Sequence, residues 1–332
     1  MLFSSELCPD SKSMNETQTS AAFIRALRAG DAKAVARIPK SDLHSHWLYG
    51  ARIEAFEKYA GHPIPRPPAR MSTVKEMVTW ARKRLWAVFP THLEHHKFAL
   101  RASFEQAKKD GITLLEMSVD AGICAETFGG DEQKLVRSLS ETHKRVAPRI
   151  RFVPELSIKG EAFVPVDFLN RCFATGYFGS LDLYAVEDTG GSYGDYARIY
   201  RRAKKAGLKL KAHVGEFGTA ALVKKAVETL ELDAVQHGIS AARSPSVMRW
   251  LAKKRIQLNV CPTSNVMLKR VDRMKNHPIR TLFEYGVPVT VNTDDLAIFG
   301  QSVSDEYLNL YKARVLSAEQ LDSVRRTGLS NY

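Results

Sequence analysis

The 332 residues are 44% hydrophobic and carry a formal net charge of +13, enough apolar content to bury a large core within one domain. No apolar run approaches the ~20 residues of a membrane-spanning helix, so one soluble domain is expected. The basic residues are spread over helix-like segments such as Tyr200–Lys205, so solvated helix faces account for them better than a nucleic-acid groove. Four widely separated cysteines, Cys8, Cys124, Cys172 and Cys261, show no C-x-x-C spacing and are expected as reduced thiols.

Residues 1–20 are polar, rich in Ser and Thr, and Met1–Leu7 lacks the apolar core of a secretory signal; a disordered tail and cytoplasmic residence are expected. Residues 21–332 then read as a single domain, with no Pro/Gly/Ser linker near the middle. Phe23, Ile24, Leu27 and Val35 around Gly30 and Asp31 predict two short helices ended by Pro39. In Ser41-Asp-Leu-His-Ser-His46, strand alternation puts His44 and His46 on one face; a polar loop is the plainer alternative. Pro63, Pro65, Pro67 and Pro68 mark a loop before Thr73-Val-Lys-Glu76, a capping box opening an amphipathic helix. Trp80, Trp86 and Phe89 read as core and less readily as a wall over a substrate. His92, His95 and His96 share a helix face and are expected as a solvated cluster in preference to a second metal site.

From Gly111 onward short apolar runs recur at 112–119, 150–156, 181–186, 208–214, 234–236, 256–260 and 287–291. Helical segments intervene at 131–146, 195–206, 220–230, 246–254 and 278–285. With the His44 strand this gives eight βα units and predicts an α/β chain folded as a (β/α)8 TIM barrel. An open doubly wound sheet would call for a glycine-rich turn after the first strand, and there is none.

The chemistry-bearing residues fall at strand ends. Lys211-Ala-His213-Val-Gly-Glu216 ends a strand abruptly at Gly215, and Gln236-His237-Gly238 and Asn292-Thr-Asp294-Asp295 end two others. His44, His46, His213 and Asp294 form a ligand set for one Zn2+ per chain, which would make hydroxide available near neutral pH. Glu216 is then the acid candidate, and His237 and Asp295 are candidates to align the hydroxide. The fourth strand ends Tyr184-Ala-Val-Glu-Asp188 without the lysine that bridges two metals in binuclear sites, which favours one metal.

The run of H-x-H (His44–His46), H-x-G-E (His213–Glu216), H-G (His237), C-P-x-S-N (Cys261–Asn265) and N-T-D-D (Asn292–Asp295), in that order, resembles the adenosine deaminase family of the amidohydrolase superfamily over roughly Ile38 to Leu310. The resemblance implies a barrel of the metal-dependent hydrolase type, zinc on His44, His46, His213 and Asp294, protonation of purine N1 by Glu216, and loss of ammonia from C6. It also implies that His237 orients the hydroxide and that Asp295 binds the attacking oxygen. The expected partner is a small-molecule 6-aminopurine nucleoside or nucleotide, with no membrane or nucleic acid involved. Substrate contacts are expected from Tyr49, Ala185 and Gly215. The chain departs from the family twice: Tyr49 falls where an acidic residue meets the ribose 5′-hydroxyl, and Ala185 stands where a glycine offers its N–H to purine N3. Loss of that carboxylate removes a repulsion against phosphate, and Arg52, Lys269, Arg270 and Arg273 are expected at the pocket mouth, so a 5′-monophosphate is preferred as substrate. A different amine or amide substrate, or an idle binding protein on the same fold, are the alternatives.

Overall fold

The computed structural model describes residues 15–160 and 166–330. Eight strands, β1 (Lys40–His46), β2 (Ile112–Asp120), β3 (Arg151–Lys159), β4 (Ser180–Tyr184), β5 (Lys209–Val214), β6 (Ala234–His237), β7 (Gln257–Val260) and β8 (Val289–Val291), follow one another in a single parallel sheet in sequence order. Closure comes from a parallel bridge between Ser45 and Asp294, with Asp294 N–H donating to His44 C=O at 2.9 Å. The result is the (β/α)8 barrel expected from the alternation of apolar runs and helical segments. Among the described residues no helix is long and apolar enough to cross a membrane.

Local signals set the helix ends. Asn15 and Gln18 form a capping box before Glu16–Ala29, Gly30 ends that helix in a left-handed conformation, and Asp31 caps Ala32–Ala36. Residues 15–20 are therefore not tail: they begin the first helix, and Thr19 lies on its buried face. The rest of the expected tail, with Cys8, lies outside the described residues. Thr73 caps Val74–Arg84 as expected, but the Glu76 carboxylate takes the N–H of Ser72 and not that of Thr73, so the box is half formed. The fourth strand stops at Tyr184, two residues short of the expected end, because Ala185 turns left-handed and a short helix begins at Val186.

Apolar side chains pack between strands and helices, whereas much of the barrel interior is polar. Ser180 Oγ sits within hydrogen-bond distance of both Glu116 and Glu155, its single proton serving one of them at a time, and Lys211 pairs with both carboxylates. Across the axis, Thr290 donates to Asn259, which donates to Gln236 at 2.8 Å. Paired side chains of this kind tie strands together in a low-dielectric interior, although Gln236 Nε2 has no hydrogen-bond partner among the described residues. Leu43, Leu114 and Val153 make a small separate apolar cluster with Leu329 against it.

Histidines 95 and 96 are buried, not solvated: His95 stacks on Phe89 at 4.4 Å, and His96 accepts from Trp47 Nε1 at 3.0 Å. The three described cysteines are buried free thiols.

Candidate active site

The carboxyl ends of β1, β5, β6 and β8 bring the predicted residues together. His44 and His46 close β1, His213 lies one residue before the end of β5, His237 ends β6, and Asp294 and Asp295 follow β8. Left-handed backbone at Ala185 (φ 64°), Gly215 (74°), His237 (62°) and Asp294 (61°) turns the chain where each strand meets the site. For the three non-glycine residues this conformation costs about 1–2 kcal/mol each, strain of the kind that gathers at functional sites. At Gly215 an added Cβ would also lie 2.3 Å from Val223 and 2.6 Å from Ser240.

The ring of His44 sits 5.0 Å from that of His46, 4.6 Å from His213 and 5.0 Å from His237. His44 offers a ligand atom within 4.8 Å of those of His46 and Asp294, and also of those of His213 and His237. No single group within that distance unites His44, His46, His213 and Asp294. Cys261, a donor that sequence reasoning did not count, groups with His237 and Asp294. Fit to a metal rests on His44, whose two ring nitrogens are buried and lack any hydrogen-bond partner among the described residues. Nitrogen is costly to bury unpaired, and a cation shared with neighbouring imidazoles and a carboxylate removes the cost; the mixed N/O donor set suits zinc. Burial, with Asp295 beside it, pushes Asp294 up to about 7, a second penalty that a bound cation relieves.

Outer partners orient the candidate ligands. Asp182 Oδ2 lies 2.9 Å from His213 Nδ1, Asp295 Oδ1 lies 2.9 Å from His46 Nδ1, and Ser264 Oγ donates to Asp294 Oδ2 at 2.7 Å. Asn265 Nδ2 lies 3.3 Å from His237 Nδ1, and burial followed by the neighbouring imidazoles keeps His237 neutral, its pKa well below the usual value. With Asn265 donating, the proton of His237 is on Nε2, 3.6 Å from Glu216 Oε2 and 3.8 Å from Asp294 Oδ2.

Glu216 is buried, and burial, Asp294, Glu187 and Asp188 in that order raise its pKa well above the usual carboxylate range, against the opposing charge of Arg270. Burial and the neighbouring carboxylates thus favour its protonated form. Its Oε1 has no hydrogen-bond partner among the described residues.

His46, His213, Glu216, His237, Asp294 and Asp295 line a cavity of about 1230 Å³. Met77, Val78 and Trp86 from the segment between β1 and β2, with Ile123, Phe168 and Phe217, supply apolar wall. Trp86, expected as core, thus faces the cavity; its Nε1 donates to Tyr49 Oη at 2.6 Å, which leaves the tyrosine O–H to donate elsewhere. Ala185 also lines the cavity. Gly215 is not among the lining residues; it serves the turn that carries Glu216. Tyr184 Oη donates to Asp120 Oδ2 at 2.5 Å on another wall.

None of the four cations expected at the mouth lines the cavity. Arg52 pairs with Asp305, Lys269 donates to Ser72, Arg273 pairs with Asp272, and Arg270 lies over the Phe217 ring at 4.7 Å. Strand ends alone did not fix where these long side chains go. Lys75, Arg82, Lys159 and Arg171 line it instead, and Arg171 is already paired with Glu132. Sequence reasoning also missed Asp182 and Glu187. Asp182 had a signal, a carboxylate alternating with Leu181 and Leu183 inside an apolar run, hence facing the barrel axis.

The adenosine deaminase family model matches residues 39–331. A Treponema pallidum protein bearing the name "Putative adenosine/adenine deaminase" is 33% identical over 293 residues, covering 86% of this chain and 97% of that protein. A Zn-bound amidohydrolase from Burkhoderia ambifaria superposes with a TM-score of 0.75 at 20% identity, covering 97% of this chain and 90% of that one. An N6-mAMP deaminase from Arabidopsis superposes with a TM-score of 0.73 at 17% identity, covering 88% and 92%. With the family model spanning all eight strands and the motifs in the family's order, the chain belongs to the adenosine deaminase family.

Proposed function

We propose that this chain hydrolytically deaminates a 6-aminopurine nucleoside or nucleotide, with one zinc per chain. The observation that carries the reading is Glu216: a buried carboxyl with an unpartnered oxygen, its pKa raised by burial, set beside four clustered imidazoles at a cavity wall. His44, His46, His213 and Asp294 would hold the zinc, which supplies hydroxide at neutral pH when bound. Glu216 gives its proton to the ring nitrogen beside the amino-bearing carbon and makes that carbon electrophilic. His237 and Asp295 flank the attacking oxygen and fix its approach. One water is consumed: its oxygen bonds to the ring carbon, the C–N bond breaks, and the amino group leaves with the added protons as ammonia. The backbone N–H of Ala185, which lines the cavity, would meet the far edge of the purine.

A cavity of about 1230 Å³ exceeds the usual span of a small-ligand site, about 300–1,000 Å³, and has room for a sugar and phosphate as well as a base. Lys75, Arg82 and the Tyr49 hydroxyl at its wall favour a 5′-monophosphate over the free nucleoside. The test compares kcat/KM for adenine, adenosine, deoxyadenosine, AMP and dAMP by ammonia release, with the paired substitutions Lys75→Ala and Arg82→Ala. Expected is a preference for the monophosphates that falls about tenfold or more in the double variant while adenosine is little affected. A tenfold preference for free nucleosides or adenine sinks the phosphate reading; no ammonia from any of the five sinks the deaminase reading.

A further inference from the structure

The carboxylate of Glu187 is held by the backbone on both sides of Glu216. Gly215 N–H donates to Oε1 at 2.6 Å, and Phe217 and Gly218 N–H donate to Oε2 at 2.9 and 3.0 Å. Three converging N–H groups form an anion-binding concavity, and hydrogen bonds to an ionised acceptor are the strong kind. The chain is shaped to permit it from both directions. Left-handed Ala185 ends β4 and starts the short helix Val186–Thr189, which brings Glu187 across to the end of β5. On the other side a Cβ at Gly218 would sit 2.3 Å from Glu187 Oε1, so only glycine lets the backbone approach.

We propose that Glu187 is a positioning residue for the reaction: it fixes the Gly215–Gly218 turn and thereby aims Glu216 at the substrate ring nitrogen. The proposal rests on Glu216 being the proton donor. Glu187→Gln is near-isosteric, but the amide has one acceptor oxygen and turns its NH2 against backbone N–H groups, so one side of the turn is released. A displacement of about 1 Å at a reacting group costs on the order of 10²-fold in rate.

The experiment is a double-mutant cycle on metal-loaded protein, with kcat, KM, bound zinc and melting temperature measured for wild type, Glu187→Gln, Glu216→Gln and the double variant. Glu187→Gln is expected to lower kcat about 10- to 100-fold with KM within about threefold and zinc retained. On the Glu216→Gln background the same change should lower kcat less than about twofold, because the group it positions is gone. Glu187→Asp keeps the charge one methylene short; it should recover part of the rate, and it carries the comparison if Glu187→Gln does not fold. An equal fold loss on both backgrounds, or a wild-type kcat in Glu187→Gln, overturns the proposal. A nearly active Glu216→Gln would instead overturn the proton-donor reading itself.

Discussion

Replacing His96 by Gln should remove an acid sensitivity that wild-type stability carries. Trp47 Nε1 donates to His96 Nδ1 at 3.0 Å, so that nitrogen is an unprotonated acceptor, and Nε2 carries the proton, 3.1 Å from Ser138 Oγ. Burial, helped by the charge of Lys97, lowers the ring from 6.5 to about 4. The unfolded chain therefore takes up a proton near pH 6.5 that the folded ring refuses until about pH 4, and stability falls as pH drops through that window. At about pH 5 the unfolded ring is almost fully protonated and the folded ring almost wholly neutral, a loss of about 2 kcal/mol relative to pH 7 at 1.36 kcal/mol per pH unit. Gln can accept from Trp47 through its amide oxygen but does not titrate. Other buried groups titrate over the same range, among them Glu306, raised by burial to about 8, so the informative quantity is the difference between the two proteins. Urea unfolding of both at about pH 7 and about pH 5 should show wild type losing about 2 kcal/mol more than His96→Gln. If the variant follows wild type within about 0.5 kcal/mol, His96 is not held neutral by its site and the reasoning fails.

Two further outcomes can be measured directly. Ala185→Gly should relieve left-handed strain of about 1–2 kcal/mol against about 0.4–1 kcal/mol of added unfolded-state entropy, a net gain near 0.5–1 kcal/mol and a melting point about 1–3 °C higher; a lower melting point contradicts it. His44→Ala should leave less than about a tenth of an equivalent of zinc by elemental analysis, since His44 belongs to two of the ligand groups, whereas Asp182→Asn should weaken metal affinity about 10- to 100-fold by releasing the His213 ring. Full zinc occupancy in His44→Ala would remove it from the ligand set.

The sequence by itself determined the strand count, the strand order and which residues meet at the strand ends. Those depend on local patterns: apolar runs, helical periodicity, and the alternation that sets His44 and His46 on one face. A parallel barrel then carries strand ends far apart in the chain to one rim, so the motif residues had to converge once the fold was right. Only the tertiary structure decided what those residues touch. His95 and His96 read as surface because a polar helix face looks solvated until Phe89 and Trp47 cover it. Arg52, Lys269, Arg270 and Arg273 were misplaced because long flexible side chains choose among partners at their tips, and nearby acceptors or an aromatic face hold them away from the cavity. Glu187 was invisible for the same reason in reverse: its partners are backbone N–H groups, which every residue but proline carries, and only the approach of one strand end to another shows which of them it binds.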